Sequence, residues 1–168
     1  MFKVFVNYPQ YDEEYRIAEA TTAEWNPRVD HVLNAEAILD LHGLVRRIPV
    51  APHVVHYALR LVRATRVQEG DAPAFIREWV SWGAGPRGVQ YLLLGGKSRA
   101  ALAGRTFVNT DDVRAVAHPV LRHRIITNFH AESEGVKPDQ VIDRLLETVP
   151  EEGRDEAVDK KLEAAFDT

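Results

Sequence analysis

Apolar side chains recur along most of the chain at intervals of three and four residues, which is the period of an α-helix. One segment places Val55, Leu59 and Val62 on a single face, and a longer one does the same for Val89 and Leu92. Similar segments begin near positions 10, 34, 71, 110 and 138. The pattern predicts an all-α fold, a helical bundle of about six helices.

Capping and helix-breaking residues support these boundaries. Asn34 and Asp71 are suitable N-caps, and Pro86 suits the first position of a helix. Gly104 suits the position just after a helix, where backbone dihedral angles of the left-handed region are common. Pro119 is expected to interrupt the helix that begins near position 110.

The first residues have a different pattern. Residues 2–6 (Phe-Lys-Val-Phe-Val) are rich in β-branched and aromatic side chains and predict a short strand. No other segment offers a convincing partner, and a lone strand leaves its backbone groups unsatisfied. We therefore expect residues 1–8 to be the remnant of a strand in a chain cut from a longer one. Residues 9–150 would be the helical domain, and residues 151–168 a charged tail with a frayed end.

Composition narrows the classes of function. The 168 residues are 45% hydrophobic and 27% charged, which is typical of a soluble globular domain. No segment approaches the ~20 apolar residues of a membrane span, and no signal peptide is visible. The absence of cysteine excludes disulfides and thiolate metal sites, and the net charge of -4 argues against binding to nucleic acid or a membrane surface. We expect a cytoplasmic protein.

Two groups of residues invite a chemical interpretation that the sequence does not support. Gly95-Gly96-Lys97-Ser98 ends like a phosphate-binding loop, but the glycine required five positions earlier is Tyr91. Small residues there are expected to let two helices approach closely. Of the seven histidines, His53 and His56 lie three residues apart but have no Asp or Glu within a turn, no His-Glu-x-x-His pattern occurs, and His130 is assigned to a loop. We therefore predict no metal site.

The segment Gly83-Ala84-Gly85-Pro86-Arg87-Gly88 combines a turn with a charged start of a helix. Two glycines would give the backbone freedom for a tight turn, and Pro86 would fix the first helical residue. Arg87 then lies in the first turn, where a cation opposes the helix dipole. Such an arginine is either an ordinary solvated side chain or a ligand for an anion, with phosphate as the obvious candidate.

This segment resembles a motif in the C-terminal helical lid of the MoxR family of AAA+ ATPases. In that family a Gly-Ala-Ser-Pro-Arg-Ala motif carries the sensor 2 arginine, and here glycine replaces the serine and the final alanine. The resemblance covers roughly residues 2–150. It includes, in the family's order, residues 2–9, 59–66, 107–113, 119–125 and 142–150.

The resemblance implies that Arg87, presented by Gly85 and Pro86, contacts the γ-phosphate of ATP. The ATP and its Mg²⁺ would be bound mainly by the large AAA+ subdomain of the same polypeptide, so no catalytic residue is expected in this chain and it should be inactive alone. The family resemblance also implies a ring of neighbouring subunits and a chaperone-like motor that remodels a client protein, whose identity stays open.

Two rival functions stay open. The domain could be a helical protein-interaction module that shares the lid fold without binding nucleotide, or a DNA-binding regulator. The second is weaker because the basic residues, among them Arg87, Lys97 and Arg99, are spread over several turns, so that no single helix has a basic reading face.

Overall fold

The fold is described by a computed structural model for residues 1–24, 27–69 and 72–151. The helices in these ranges are α1 (Tyr11–Thr22), α2 (Ala35–Arg47), α3 (Pro52–Ala64), α4 (Ala74–Trp79), α5 (Pro86–Leu102), α6 (Thr110–Ala115), α7 (Ala117–Leu121), α8 (Phe129–Ser133) and α9 (Pro138–Thr148). The strands are β1 (Val80–Trp82) and β2 (Ile126–Thr127). The predicted all-α class is confirmed. The described residues hold nine helices rather than about six, because several are single short turns.

The chain divides into two compact units, and residues 4–44 form the smaller one. Its helix α1 is preceded by the N-cap residue Gln10, whose N–H donates to Glu13 Oε2 at 3.0 Å. The start of α2 is capped by Asn34, whose Oδ1 accepts the N–H of Ala37 at 2.8 Å. This confirms the predicted N-cap. Neither α1 nor α2 buries a residue in the structure.

The larger unit contains residues 1–3 and 45–168 and carries the hydrophobic core. Helices α3 and α5 pack against each other, and α6, α7 and α9 complete the contacts around them. The largest fully buried side chains are Tyr57, Leu61, Ile76, Leu92, Leu121, Ile142 and Leu145. On α3 the buried face contains Val54, Ala58 and Leu61, whereas Leu59 is exposed. The predicted face of this helix is wrong at Leu59, whereas its Val62 is fully buried and its Val55 is half-buried.

A buried carboxylate joins α5 to α6. Asp112 is only 1% exposed and accepts two hydrogen bonds from the Arg105 guanidinium, at 2.6 and 2.7 Å. Arg99 on α5 lies 3.4 Å from the same carboxylate, and the N–H of Asn109 donates to it at 3.1 Å. Asn109 in turn caps α6 by accepting the N–H of Asp112. The Asp112 carboxylate thus accepts a hydrogen bond at the N-terminus of α6 and also interacts with two arginines.

The two strands pair with each other in antiparallel orientation, with Val80 opposite Thr127 and Trp82 opposite Ile126. The periodicity of the sequence predicts a short helix after Asp71 that contains Val80 and ends at Gly83. In the structure α4 ends at Trp79, because the following backbone pairs with a distant segment instead of continuing the helix. The predicted cap of α4, Asp71, lies outside the described residues.

The break before α7 also differs from the prediction. The helix that begins at Thr110 ends at Ala115, and α7 starts at Ala117. Pro119 is therefore the third residue of α7, a position whose N–H has no partner within a helix. Because the chain breaks at Val116, Pro119 falls in the first turn of α7, where a proline is tolerated, and the break itself lies three residues earlier than predicted.

The predicted strand at residues 2–6 is not a strand in this structure. The N–H of Lys3 donates to the carbonyl of Pro119 at 2.8 Å, but residues 2–6 form no ladder with another strand. A ladder requires a regular series of such bonds along both strands. The division into residues 1–8 and 9–150 stays a prediction, and residues 152–168 lie outside the described ranges.

None of the helices in the described ranges has the length and apolar character needed to cross a lipid bilayer.

Candidate functional site

Arg87 lies where the sequence predicted, in the first turn of α5. Gly85 is the N-cap residue and Pro86 is the first helical residue. The N–H of Gly88 donates to the Gly85 carbonyl at 2.8 Å, which closes the first turn. The Arg87 side chain is exposed, and no carboxylate forms an ion pair with it within the described part of the chain. The helix start therefore presents an exposed cation that has no counter-charge among the described residues.

The turn before Arg87 is held by the end of α3. Thr65, which is fully buried, accepts the N–H of Ala84 with its Oγ1 at 2.8 Å and donates to the Val62 carbonyl at 2.6 Å. Arg66 Nε donates to the carbonyl of Ala84 at 3.0 Å. Sequence reasoning missed both Thr65 and Arg66, because neither has a spacing that links it to the turn. These bonds position the start of α5 relative to α3.

The two glycines of the turn have a different role from the predicted one. Neither adopts a positive φ; in the described residues only Gly104 and Gly135 do. A Cβ on Gly83 would lie 2.2 Å from the carbonyl oxygen of Thr65, whereas a Cβ on Gly85 would meet nothing within 4 Å. Gly83 is required by close approach of two backbones, and position 85 has room for the serine of the family motif.

A cleft of about 410 Å³ opens beside this turn. One side is formed by residues 66–69 and the other by residues 81–86, including Trp82, which is 69% exposed. The carboxylate of Glu69 faces arginines, with Arg66 at 2.7 Å and Arg63 at 2.8 Å. The hydrogen bond from Arg66 is the main reason that the pKa of Glu69 is lowered. The negative charge of Glu69 at the cleft is thus already compensated by two arginines.

The Gly95-Gly96-Lys97-Ser98 segment is structural, as predicted. It lies inside α5, and a Cβ on Gly96 would come within 3.0 Å of Val108 and 3.5 Å of Asp112. A Cβ on Gly95 would lie 2.9 Å from the ring of Phe2. These close approaches confirm that the small residues permit tight packing around α5.

One histidine has a setting that the sequence did not reveal. His130 lies on α8 and not in a loop, with its Nε2 3.5 Å from Glu78 and 3.4 Å from Glu134. All three side chains are exposed, and Trp79 Nε1 donates to Glu134 at 2.9 Å. Residues of this kind could coordinate a cation, but exposed carboxylates around a histidine equally form an ordinary surface ion pair. The absence of a metal site stays a prediction.

Comparison with known proteins relates this architecture to one family. The sequence model of the AAA lid domain matches residues 72–145, the stretch that runs from α4 to α9. The chain is 32% identical over 149 residues to "Chaperone MoxR1" of Mycobacterium tuberculosis, an alignment that covers 89% of this chain and 39% of that protein. It is 34% identical over 110 residues to "Protein MoxR" of Paracoccus denitrificans, covering 60% of this chain and 31% of the relative.

A solved structure agrees with these sequence matches. The crystal structure of a candidate ATPase from Cytophaga hutchinsonii superimposes with a TM-score of 0.78 at 25% sequence identity. The match covers 89% of this chain and 46% of the other. The chain therefore spans less than half the length of the relatives that it matches.

Proposed function

The chain carries the helical lid domain of the MoxR family of AAA+ ATPases, and from that premise we propose that it forms the sensor 2 part of a nucleotide site. In this proposal Arg87 binds the γ-phosphate of ATP that is held mainly by a large AAA+ subdomain of the same polypeptide. The lid would change its position when that phosphate is lost. The whole protein would couple ATP hydrolysis to remodelling of a client protein.

The observation that carries the proposal is the exposed Arg87 in the first turn of a long helix, which forms no ion pair with any of the residues that the structure describes. A cation at this end of a helix is unfavourable by about 0.3–1 kcal/mol, because it opposes the helix dipole. Local stability therefore does not explain the residue. A guanidinium presented from a defined turn suits a phosphate, to which it can donate two parallel hydrogen bonds.

The surroundings of Arg87 fit a phosphate but not a magnesium ion. Mg²⁺ prefers carboxylate and other oxygen ligands. Among the described residues that line the cleft, the acidic one is Glu69, whose carboxylate is paired with Arg63 and Arg66. ATP with Mg²⁺ supplies the phosphoryl group and its charge neutralisation, whereas this chain's contribution would be the Arg87 guanidinium. Ligands for the metal would belong to the large subdomain.

The packing around the turn suggests how binding at Arg87 would move the lid. The turn is hydrogen-bonded to the end of α3 through Thr65 and Arg66. Helix α5 packs closely on α3, where a Cβ on Gly88 would lie 3.2 Å from Val62. Since packed helices move as units, binding or loss of a phosphate at Arg87 would displace α3 and α5 together. The partners in this proposal are the large subdomain, neighbouring subunits of a ring and the client, in the cytoplasm.

The isolated chain is expected neither to hydrolyse ATP nor to bind it tightly. One exposed arginine–phosphate contact is weak in water, so saturable binding of Mg-ATP should be absent below about the millimolar range. Isothermal titration calorimetry of the 168-residue chain, together with a phosphate-release assay, measures both properties. Micromolar affinity, or turnover above a protein-free blank, would contradict the lid assignment.

Arg87→Ala is expected to reduce ATPase turnover by roughly tenfold or more when the lid is joined to its nucleotide-binding subdomain. The reason is that an arginine on the transferring phosphoryl group stabilises charge that develops in the transition state. Arg87→Lys should recover only part of the activity, because an ammonium keeps the charge and loses the planar fork. Steady-state phosphate release by purified variants measures the effect.

Arg77→Ala is the matched control, since Arg77 is an exposed arginine on α4, away from the turn. It removes the same charge and should leave turnover close to the wild-type value. Thermal unfolding of the 168-residue chain should be nearly unchanged by Arg87→Ala, which separates a functional defect from a folding defect. If the Arg87→Ala variant has the turnover of the wild type, the proposed role of Arg87 in phosphate binding is contradicted.

A further inference from the structure

A second arginine lies on the same side of α5 as Arg87. The guanidinium carbon of Arg124, in the segment after α7, stands 5.0 Å from the centre of the Tyr91 ring. Tyr91 follows Arg87 by one helical turn, so both side chains project from one face of α5. Stacking on an aromatic ring holds a guanidinium in place without neutralising its charge.

Arg124 contacts backbone carbonyls and an imidazole ring. Its Nη1 donates to the Val120 carbonyl, lies 3.3 Å from the Met1 carbonyl and stands 2.5 Å from the His123 ring nitrogen. No ion pair to Arg124 occurs within residues 1–24, 27–69 and 72–151. Arg122, two positions earlier, is different: its Nε pairs with Asp139 at 3.0 Å.

Positive charges lie near Arg124. Burial is the main cause that lowers the pKa of Arg124; the Arg87 charge lowers it further, whereas Tyr91 acts in the opposite direction. The pKa of His123 is lowered first by burial and then by Arg124, the N-terminal amine and Lys3. Burial and nearby cations thus both disfavour the charged forms of these groups, and a bound anion would offset both effects. In the part of the chain that the structure describes, no carboxylate pairs with the half-buried Arg124.

We propose that Arg124 is a second phosphate-binding arginine, which acts together with Arg87 on the terminal phosphates of a nucleoside triphosphate. The inference rests on the proposed function of Arg87 and adds a residue to that site. Arg87 is exposed and reaches outward, whereas Arg124 is held by Tyr91 and by backbone carbonyls. The pair would bind a chain of phosphates in preference to a single one, because two separated cations match two charged groups.

Inorganic tripolyphosphate is the probe that tests this pair in the 168-residue chain. Arginine Nε–H resonances in NMR spectra report on each guanidinium separately, at low salt, where surface charges are least screened. We expect the Arg87 and Arg124 signals to shift along one common binding curve. Arg124→Ala should weaken the affinity measured at Arg87 by about three- to fivefold, the effect of one exposed charge contact. Arg77→Ala, the charge-matched control, should change it by less than about 1.5-fold.

Arg124→Gln provides a test if the alanine variant does not fold, because its amide group can still donate to the backbone carbonyls although the positive charge is removed. It should weaken binding as much as Arg124→Ala does, with an unchanged pattern of backbone amide signals. If Arg87 responds to tripolyphosphate and both Arg124 variants bind like Arg77→Ala, the inference is wrong and the proposed function of Arg87 stands. If the Arg87 signal does not respond at all up to about 20 mM probe, the proposed function itself is contradicted.

Discussion

Gly83→Ala is expected to destabilise the fold by about 3 kcal/mol, the upper end of the range for forcing extra atoms into a packed interior. The added Cβ would stand 2.2 Å from the backbone oxygen of Thr65 and 2.6 Å from its carbonyl carbon. Neither atom belongs to a flexible side chain, so the backbone of the turn or of the α3 end has to move. That movement would weaken the bond between the Ala84 N–H and Thr65 Oγ1. Urea unfolding of the 168-residue chain, followed by circular dichroism, measures the loss.

Gly85→Ala is the matched control two positions later in the same turn. Gly85 has φ -82°, which any residue adopts, and an added Cβ meets nothing within 4 Å. Alanine there also reduces the freedom of the unfolded chain, so the free energy of unfolding should change by less than about 1 kcal/mol and can rise. Equal stabilities of the two alanine variants would show that close approach to Thr65 is not what requires Gly83.

Asp112→Ala is expected to have the largest effect on stability, a loss of about 3–4 kcal/mol, because it removes a buried carboxylate together with its charge-assisted hydrogen bonds to the partly exposed Arg105. Arg105 would lose both of its charge-assisted hydrogen bonds, at 2.6 and 2.7 Å. The cap of α6 would also lose the contact between the Asn109 N–H and the carboxylate. Chemical denaturation at about pH 7, with Asp111→Ala as the control, measures the effect. Asp111 is the exposed neighbour in the same first turn.

The contribution of Asp112 depends on pH with a defined sign. Burial by itself would raise the pKa of Asp112, but hydrogen bonds from Arg105 and from Asn109, with the charges of Arg105 and Arg99, lower it overall. A carboxyl group whose pKa is lower in the folded state stabilises that state fully above its unfolded pKa of about 4. This contribution to stability is lost as the pH falls through the pKa that Asp112 has in the folded protein.

The stability difference between the wild type and Asp112→Ala should therefore narrow on going from about pH 7 to about pH 3. Asp112→Asn keeps the shape of the side chain and provides a test if the alanine variant does not fold. It should also be destabilised, because its amide group presents a donor to the Arg105 guanidinium. A difference that stays constant with pH, or an Asp112→Ala variant as stable as Asp111→Ala, would contradict this account.

Helix boundaries were largely predictable from the sequence, because they depend on groups a few residues apart. The Asn34 cap, the start of α5 at Pro86 and the left-handed Gly104 after its end all lie where local rules placed them. A capping side chain needs only the N–H groups of the next turn, and proline restricts its own φ. The position of Arg87 in a first turn follows from the same rules, whereas its assignment as the sensor 2 arginine came from the family resemblance.

Tertiary structure alone decided which faces are buried and which distant segments meet. On α3 the apolar residues lie on more than one side, so the period allows two neighbouring faces; packing against α5, α6 and α9 buries Ala58 and leaves Leu59 exposed. Val80 lies in a strand and not in the predicted helix, because its backbone pairs with Thr127, which is distant in sequence. The need for glycine at position 83 and the stacking of Arg124 on Tyr91 likewise depend on atoms from other helices. Periodicity describes one segment at a time, and these contacts join segments whose relative position only packing sets.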